Sequence, residues 1–212
     1  MTTRPSVSAV KTVFDSVIRG TSHHFPRTAN KGNVGQRLET LLGIPNSPAC
    51  LDCSDGEVKL FPIKRLKNGS FSPKETIAIT TRGLKHDKIR PFSNLQNPGI
   101  TWEDSALKKK TNNLLFISYI RDGENVTFMH SYLFNSSCLE YTEFKEDYEK
   151  IMSKYRNTGV CQLEKSEDGY VTNTVNGKYI QGRTKGPGGP NKTVAFYFRS
   201  TQFVKNIILS PQ

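Results

Sequence analysis

Apolar spacing along the chain alternates between two periods. Val7, Val10, Val13, Phe14 and Val17 recur at helical intervals up to Gly20, which predicts an amphipathic first helix after a loose terminus at residues 1–5. A polar, Pro-containing loop is expected over 21–30. Val34, Leu38, Leu41 and Leu42 then mark one buried stripe of a second helix, ended by Gly43 and kept from continuing by Pro45. The run GEVKLFPI reads as a strand, with Glu57 and Lys59 on one face and Val58 and Leu60 on the other. Pro62 ends or edges that strand. Asn68-Gly69 signals a hairpin, after which ETIAITT returns as a strand, and residues 82–99 read as a charged loop. LLFISYIR and VTFMHSYLF form a second strand pair around Asp122-Gly123. Residues 140–156 place Phe144, Tyr148, Ile151 and Met152 on one helix face. YVTNTV and KYIQGRT flank Asn176-Gly177 as a further hairpin, and TQFVKNIIL closes the chain as a short helix.

Length and charge narrow the partner. With 212 residues the chain can bury one substantial core, or one divided by a cleft. Its formal charge of +11 points to a polyanion. No strongly amphipathic basic helix is visible, so a membrane surface fits poorly, and an RNA-binding protein is disfavoured by the lack of an aromatic-rich strand pair. There is no apolar run of 18 residues and no signal-peptide core at the start, which gives a cytoplasmic expectation. Cys50-x2-Cys53 resembles half a zinc site, but Cys138 and Cys161 supply no second CxxC, so free thiols are expected. His23, His24, His86 and His130 are expected at the surface or in packing, with His23-His24 in a loop.

Candidate chemistry concentrates in residues 31–65. Asp52 and Glu57 lie on either side of the turn sequence Ser54-Asp55-Gly56, giving D-x4-E-x-K with Lys59. Glu39 lies off the apolar stripe of the second helix, one turn after Gly35, where a missing side chain leaves room for approach. Three carboxylates can hold Mg²⁺ through oxygens while leaving water positions open. Such a cation offsets charge in a pentavalent transition state and supplies a hydroxide-like nucleophile, with Lys59 beside the attacking water. The competing reading is a solvated strand face, because so short a string is common by chance. A second stretch, RTKGPGGPNK, combines accessible backbone N–H groups with Arg183, Lys185 and Lys192. By itself it reads more readily as an exposed turn.

Taken together, KGNVGQRLE followed by D-x4-EVK, GITWEDSALKKK, EDYEKIM, KYIQGRTKG and AFYFRSTQF resemble the MutH family over residues 31–209. That family comprises mismatch-repair nicking endonucleases and related type II restriction enzymes. The resemblance implies an α/β fold of the PD-(D/E)xK restriction-endonuclease-like class, with a central mixed sheet flanked by helices and a DNA-binding cleft. It implies one endonuclease domain over 1–212: an N-terminal helix and loop (1–30), a catalytic core (31–110) and a sheet with a DNA-recognition arm (111–212). The catalytic set is Glu39, Asp52, Glu57, Lys59 and Lys110, the last in a supporting electrostatic role; Lys108 and Lys109 read as a solvated face. The metal set is Asp52, Glu57, Glu39 and Val58, for Mg²⁺ with Mn²⁺ as substitute. Lys31, Arg183, Lys185 and Tyr197 match DNA-contacting positions, Tyr197 near the adenine whose methylation is sensed. The implied activity is GATC-specific cleavage of double-stranded DNA to 5′-phosphate and 3′-hydroxyl ends. A restriction enzyme is favoured, with a cognate methyltransferase and a pairing of two copies on the palindrome. The alternatives are a repair enzyme nicking the unmethylated strand and a DNA-binding protein without catalysis. Two departures from MutH itself bear on this choice, a shorter Asp-to-Glu gap and a compressed segment between Gly189 and Thr193.

Overall fold

The computed structural model describes residues 3–27, 32–46, 49–80, 100–157, 164–166, 169–171, 174–185 and 193–210. The loop expected over 82–99, together with Lys31, His86, Cys161 and Lys192, lies outside them. Two compact units divide the chain: Met1–Glu75 with Lys110–Ser136 and Ile208–Gln212, and Thr76–Lys109 with Ser137–Ile207.

In the first unit, α1 (Val7–Val13) begins at Ser6, whose hydroxyl accepts from the Ala9 N–H. It passes into a wider turn, Phe14–Ile18, in which the Arg19 N–H reaches back to the Phe14 carbonyl. The buried stripe is therefore Val7, Val10, Phe14 and Ile18; Val13 and Val17, expected inside, are exposed. Within the terminus expected to be loose, Arg4 and Pro5 are instead hydrogen-bonded to the loop over 51–54. His23 and His24 lie in strand β1 (Ser22–His24), not in a loop. Helix α2 (Asn33–Leu41) buries Val34 and Leu38, and Leu42 follows them inward. Leu41 is left exposed, at the last helical residue before the chain turns away at Gly43.

The strands of this unit are β1, β2 (Glu57–Arg65), β3 (Phe71–Pro73), β4 (Asn113–Asp122) and β5 (Asn125–Asn135), in the order β1-β5-β4-β2-β3. Only β2 and β4 run parallel, so the sheet is mixed as expected. Leu114 to Ser118 of β4 are all buried, the pattern of a central strand covered on both faces. One of those faces meets the cluster of Val7, Phe14, Leu38, Ile44 and Phe128, against which Val58 and Leu60 also pack. Pro62 does not end β2. Its missing N–H falls where pairing with β4 stops at Tyr119 and pairing with β3 takes over at Ile63, and its carbonyl accepts from Lys74. The strand returning along β2 is FSP rather than ETIAITT.

The second unit holds most of α3 (Ala106–Thr111), α4 (Thr142–Asn157), a two-stranded pair β6 (Glu164–Ser166) and β7 (Gly169–Val171), and a three-stranded sheet. That sheet runs β10 (Thr193–Phe198), β9 (Ile180–Lys185), β8 (Val175–Asn176), all antiparallel. The run read as one strand, YVTNTV, is divided between β7 and β8. Thr76 to Thr80 flanks β10, with the Ile79 N–H on the Phe196 carbonyl and the Phe198 N–H on the Ile77 carbonyl. Phe144, Tyr148, Ile151 and Met152 are fully buried, as their spacing predicts. The closing helix, Ser200–Ile208, is wound in the wider π form. Among the described residues, no helix is long and apolar enough to cross a membrane.

Candidate functional site

Glu39 and Asp52 are each held in the first unit by a local device of their own segment. Glu39 sits at the end of α2, where Gly43 adopts φ +69° and lets the chain turn back. The Ile44 N–H then reaches the Glu39 carbonyl at 2.8 Å and the Gly43 N–H that of Thr40 at 3.1 Å, a Schellman closure that fixes this turn. Asp52 lies in the loop over 49–56. Its neighbour Cys53 is buried in the core and anchors the loop there, while the Cys53 N–H bonds the Gly56 carbonyl at 2.9 Å. Gly56 is required for space, since a Cβ there would run into the Asn113 carbonyl and the Val7 side chain. The loop therefore delivers Asp52 Oδ2 to the Val58 N–H at 3.0 Å, directly beside Glu57.

Strand β2 supplies the centre of the cluster. Glu57 and Lys59 share a face, and Lys59 Nζ donates to Glu57 Oε1 at 2.6 Å. Lys110, at the end of α3, donates to the same oxygen at 2.7 Å and to the Cys50 carbonyl at 2.7 Å. Lys108 instead pairs with exposed Glu103. Glu57 is only 3% exposed, and its second oxygen, Oε2, is buried with no hydrogen-bond partner among the described residues. Burial, and then the charge of Glu57, pushes the Asp52 carboxyl above its usual range; the Val58 amide and the two lysines oppose that. Glu39 is raised likewise, by burial first and then by the charges of Asp52 and Glu57. Three carboxylates thus face two ammonium groups.

Among the described residues, no three His, Cys, Asp or Glu side chains are gathered closely enough to hold a metal ion between them. The chemistry of the set nevertheless fits a divalent cation. An oxygen-only donor set, mutual repulsion between acids and a buried, unpartnered carboxylate oxygen are all relieved by one. Glu39, Asp52 and Glu57 are the side chains that could contribute to such a site. Val58, assigned to the metal set from sequence, has its N–H on Asp52 Oδ2.

Cys50, Cys53 and Cys138 are free, and burial followed by the nearby acids pushes the Cys53 thiol up to about 12. His23 packs against Phe25 and Phe128, and His130 against Phe71.

The remaining assigned residues lie in the second unit. Arg183 on β9 sits over the ring of Tyr197 on β10, 5.4 Å from its centroid, and donates through Nη1 to Thr76 Oγ1 at 3.1 Å. Tyr197 is 9% exposed, and burial raises its hydroxyl pKa against the pull of Arg183. Lys185 pairs with Thr193 through its backbone, but its side chain, like Lys31 and Lys192, lies outside what is described. Sequence reasoning passed over Asp147, which is 3% exposed and accepts from the N–H groups of Lys178, Tyr179 and Ile180 at the start of β9. Gly177 leaves the space that its carboxylate fills. Its spacing from Phe144 and Ile151 put it on the apolar stripe, and a lone acid there demands internal donors.

Comparison with known proteins agrees with this picture at the level of family. The family model "MutH: DNA mismatch repair enzyme MutH" matches residues 46–153, just over half of the chain. That segment contains Asp52, Glu57, Lys59 and Lys110; Glu39, Arg183 and Tyr197 lie outside it. Among curated proteins there is no match. A solved structure described as "Restriction endonuclease MvaI-cognate DNA substrate complex" aligns at 14% identity and a TM-score of 0.37, covering 91% of this chain and 90% of that one. The chain belongs to the MutH family, and with it to the nucleases that act on DNA.

Proposed function

We propose that this protein is a Mg²⁺-dependent, sequence-specific endonuclease that cuts double-stranded DNA at GATC to give 5′-phosphate and 3′-hydroxyl ends. The observation that carries the reading is the unbalanced cluster around Glu57: two ammonium groups on one carboxylate oxygen, the other oxygen buried and unpartnered among the described residues, and two further acids raised first by burial and then by like charge. A bound divalent ion would neutralise that excess and activate a water for in-line attack at phosphorus. Glu39, Asp52 and Glu57 would hold the ion. Lys59 would orient the attacking water or offset charge building on the phosphate, and Lys110 would add positive potential from the other side. In the second unit, Arg183 with Tyr197 beneath it would read base edges, Arg183 through its spare donors. Lys185 and Lys31 would add DNA contacts, and Tyr197 would sense the adenine methyl group.

Of the two roles open to such an enzyme, the short Asp-to-Glu spacing favours type II restriction, acting as two copies on the palindrome in the cytoplasm and accompanied by a methyltransferase. The family model of a mismatch repair enzyme favours the other, nicking of the unmethylated strand. Incubation of the purified chain with unmethylated plasmid and Mg²⁺, followed by mapping of the ends, separates them. Complete double-strand cutting at GATC without another protein supports restriction. Weak nicking alone supports repair, and intact plasmid under all metal conditions overturns both.

A further inference from the structure

Four hydrogen bonds and one close packing contact tie the N-terminal segment of the chain to the loop that carries Asp52. Arg4 Nη1 donates to the Leu51 carbonyl at 2.6 Å. The Ser54 N–H donates to the Pro5 carbonyl at 2.9 Å, with the Ser54 hydroxyl on the same oxygen at 3.3 Å. The Val7 N–H donates to Asp55 Oδ1 at 2.7 Å, and Val7 lies against Gly56 so tightly that no Cβ fits between. These contacts fall on residues 51, 54, 55 and 56, on both sides of Asp52, whereas Asp52 itself touches Val58. Helix capping accounts for only one of them, Asp55 on the Val7 N–H. Ser6 already caps α1 through Ala9, and Arg4 lies outside the helix altogether.

We infer that Arg4 is a positioning residue for Asp52, holding the loop over 51–56 so that its carboxylate meets Glu57 at the height required to share a divalent cation. The inference rests on the nuclease reading proposed above. A charge-assisted bond from a guanidinium to a loop carbonyl fixes that carbonyl more firmly than a neutral donor does. Asp55 closes the same loop from the far side, using the first free N–H of α1. The rigid body that sets the loop is therefore α1, whose Val7, Val10 and Phe14 are fully buried in the core. Groups that orient metal ligands typically change metal affinity by about tenfold or more when removed, without touching the ion themselves.

The test uses the full chain with Arg4→Ala, Arg4→Lys and Asp55→Ala, read by calorimetric Mn²⁺ titration, amide hydrogen exchange and the Mg²⁺ dependence of plasmid cleavage. Arg4→Ala is expected to weaken Mn²⁺ binding about tenfold, to speed exchange at the Ser54 amide, and to regain cleavage at high metal concentration. Arg4→Lys, which keeps a charged donor, should recover most of the affinity. Asp55→Ala approaches the loop from its other end and should weaken Mn²⁺ binding in the same direction. Parental Mn²⁺ affinity in both Arg4→Ala and Asp55→Ala overturns the inference alone. Failure of the unaltered chain to bind Mn²⁺ at all overturns the nuclease reading, and this inference with it.

Discussion

Glu57 and Arg183 are charged side chains removed from much of the solvent, yet their surroundings are built on opposite plans. Around Glu57, charge is unbalanced: like-charged acids crowd together, two lysines share one oxygen, and the other oxygen has no partner among the described residues. Around Arg183, the side chain is held on two sides, by the Thr76 hydroxyl and the Tyr197 ring, while its other N–H groups have no partner among the described residues. On the reading proposed, a cation would relieve the first arrangement. On the same reading, the second is positioned in advance, with donors that a base edge would take up. A nuclease needs both, chemistry that switches on with metal and recognition that loses little entropy on contact.

The largest effects are expected where that imbalance is used. Lys59→Ala and Asp52→Asn should lower single-turnover cleavage by on the order of 10²–10⁴-fold while leaving metal-free DNA binding intact. Normal cutting by both variants would end the site assignment. Arg183→Ala should show the reverse pattern, costing about 1–3 kcal/mol of discrimination between cognate and altered duplexes, measured by competition binding. If Arg183→Ala instead abolished cleavage of DNA already bound, the division of labour drawn here would collapse.

Stability should split within the cluster itself. Glu57→Gln removes the counter-charge of two largely buried ammonium groups and should destabilise the metal-free protein by about 2 kcal/mol, a figure discounted for their residual exposure. Asp52→Asn keeps an acceptor for the Val58 N–H and relieves repulsion, so its thermal midpoint without metal should rise even as activity is lost. A fall in both midpoints would mean that the acids are not in excess.

Much of the first unit was legible because its residues obey local rules. The Glu57–Lys59 face follows from strand alternation, the closure behind Glu39 from Gly43, and the mixed sheet from the family resemblance. What escaped was set at long range. Nothing near Arg4 in sequence points to Leu51, nor near Thr76 to Arg183. The exposure of Val17 escaped for another reason, because a wide turn at Phe14–Ile18 rotates the face that helical spacing assigns, whereas Val13 precedes that turn and lies at the margin of the Val7–Val10–Phe14 stripe. Pro62 misled in a third way, since a residue without an N–H can lie inside a strand where that strand changes partner.

The raised carboxyls also fix the sign of a pH effect. Because folding holds the pKa values of Glu39 and Asp52 above their ordinary 4.5 and 3.8, the folded state binds more protons than the unfolded chain in the window above those values. Metal-free stability should therefore fall as pH rises through that window. A divalent ion that requires the ionised acids should bind more tightly over the same rise. Thermal melts across the acidic range, with chelator and with Mg²⁺, should diverge as pH increases. Parallel curves would separate the metal from these acids.

The smallest expected effect probes how rigid the recognition side is. Thr76→Val keeps the size and branching of the side chain but removes the acceptor on Arg183 Nη1, and the Tyr197 ring remains beneath the guanidinium. One hydrogen bond to a part-exposed charged group contributes about 1 kcal/mol, so discrimination between a GATC duplex and its scrambled counterpart should fall about fivefold, with Thr76→Ser restoring it. Non-specific affinity and its salt dependence should not move, because the charge that sets them is unchanged. If Thr76→Val instead weakens all DNA alike, Arg183 is a phosphate contact, and the contrast between an unfinished catalytic cluster and a finished reading head reduces to a contrast between two charged surfaces.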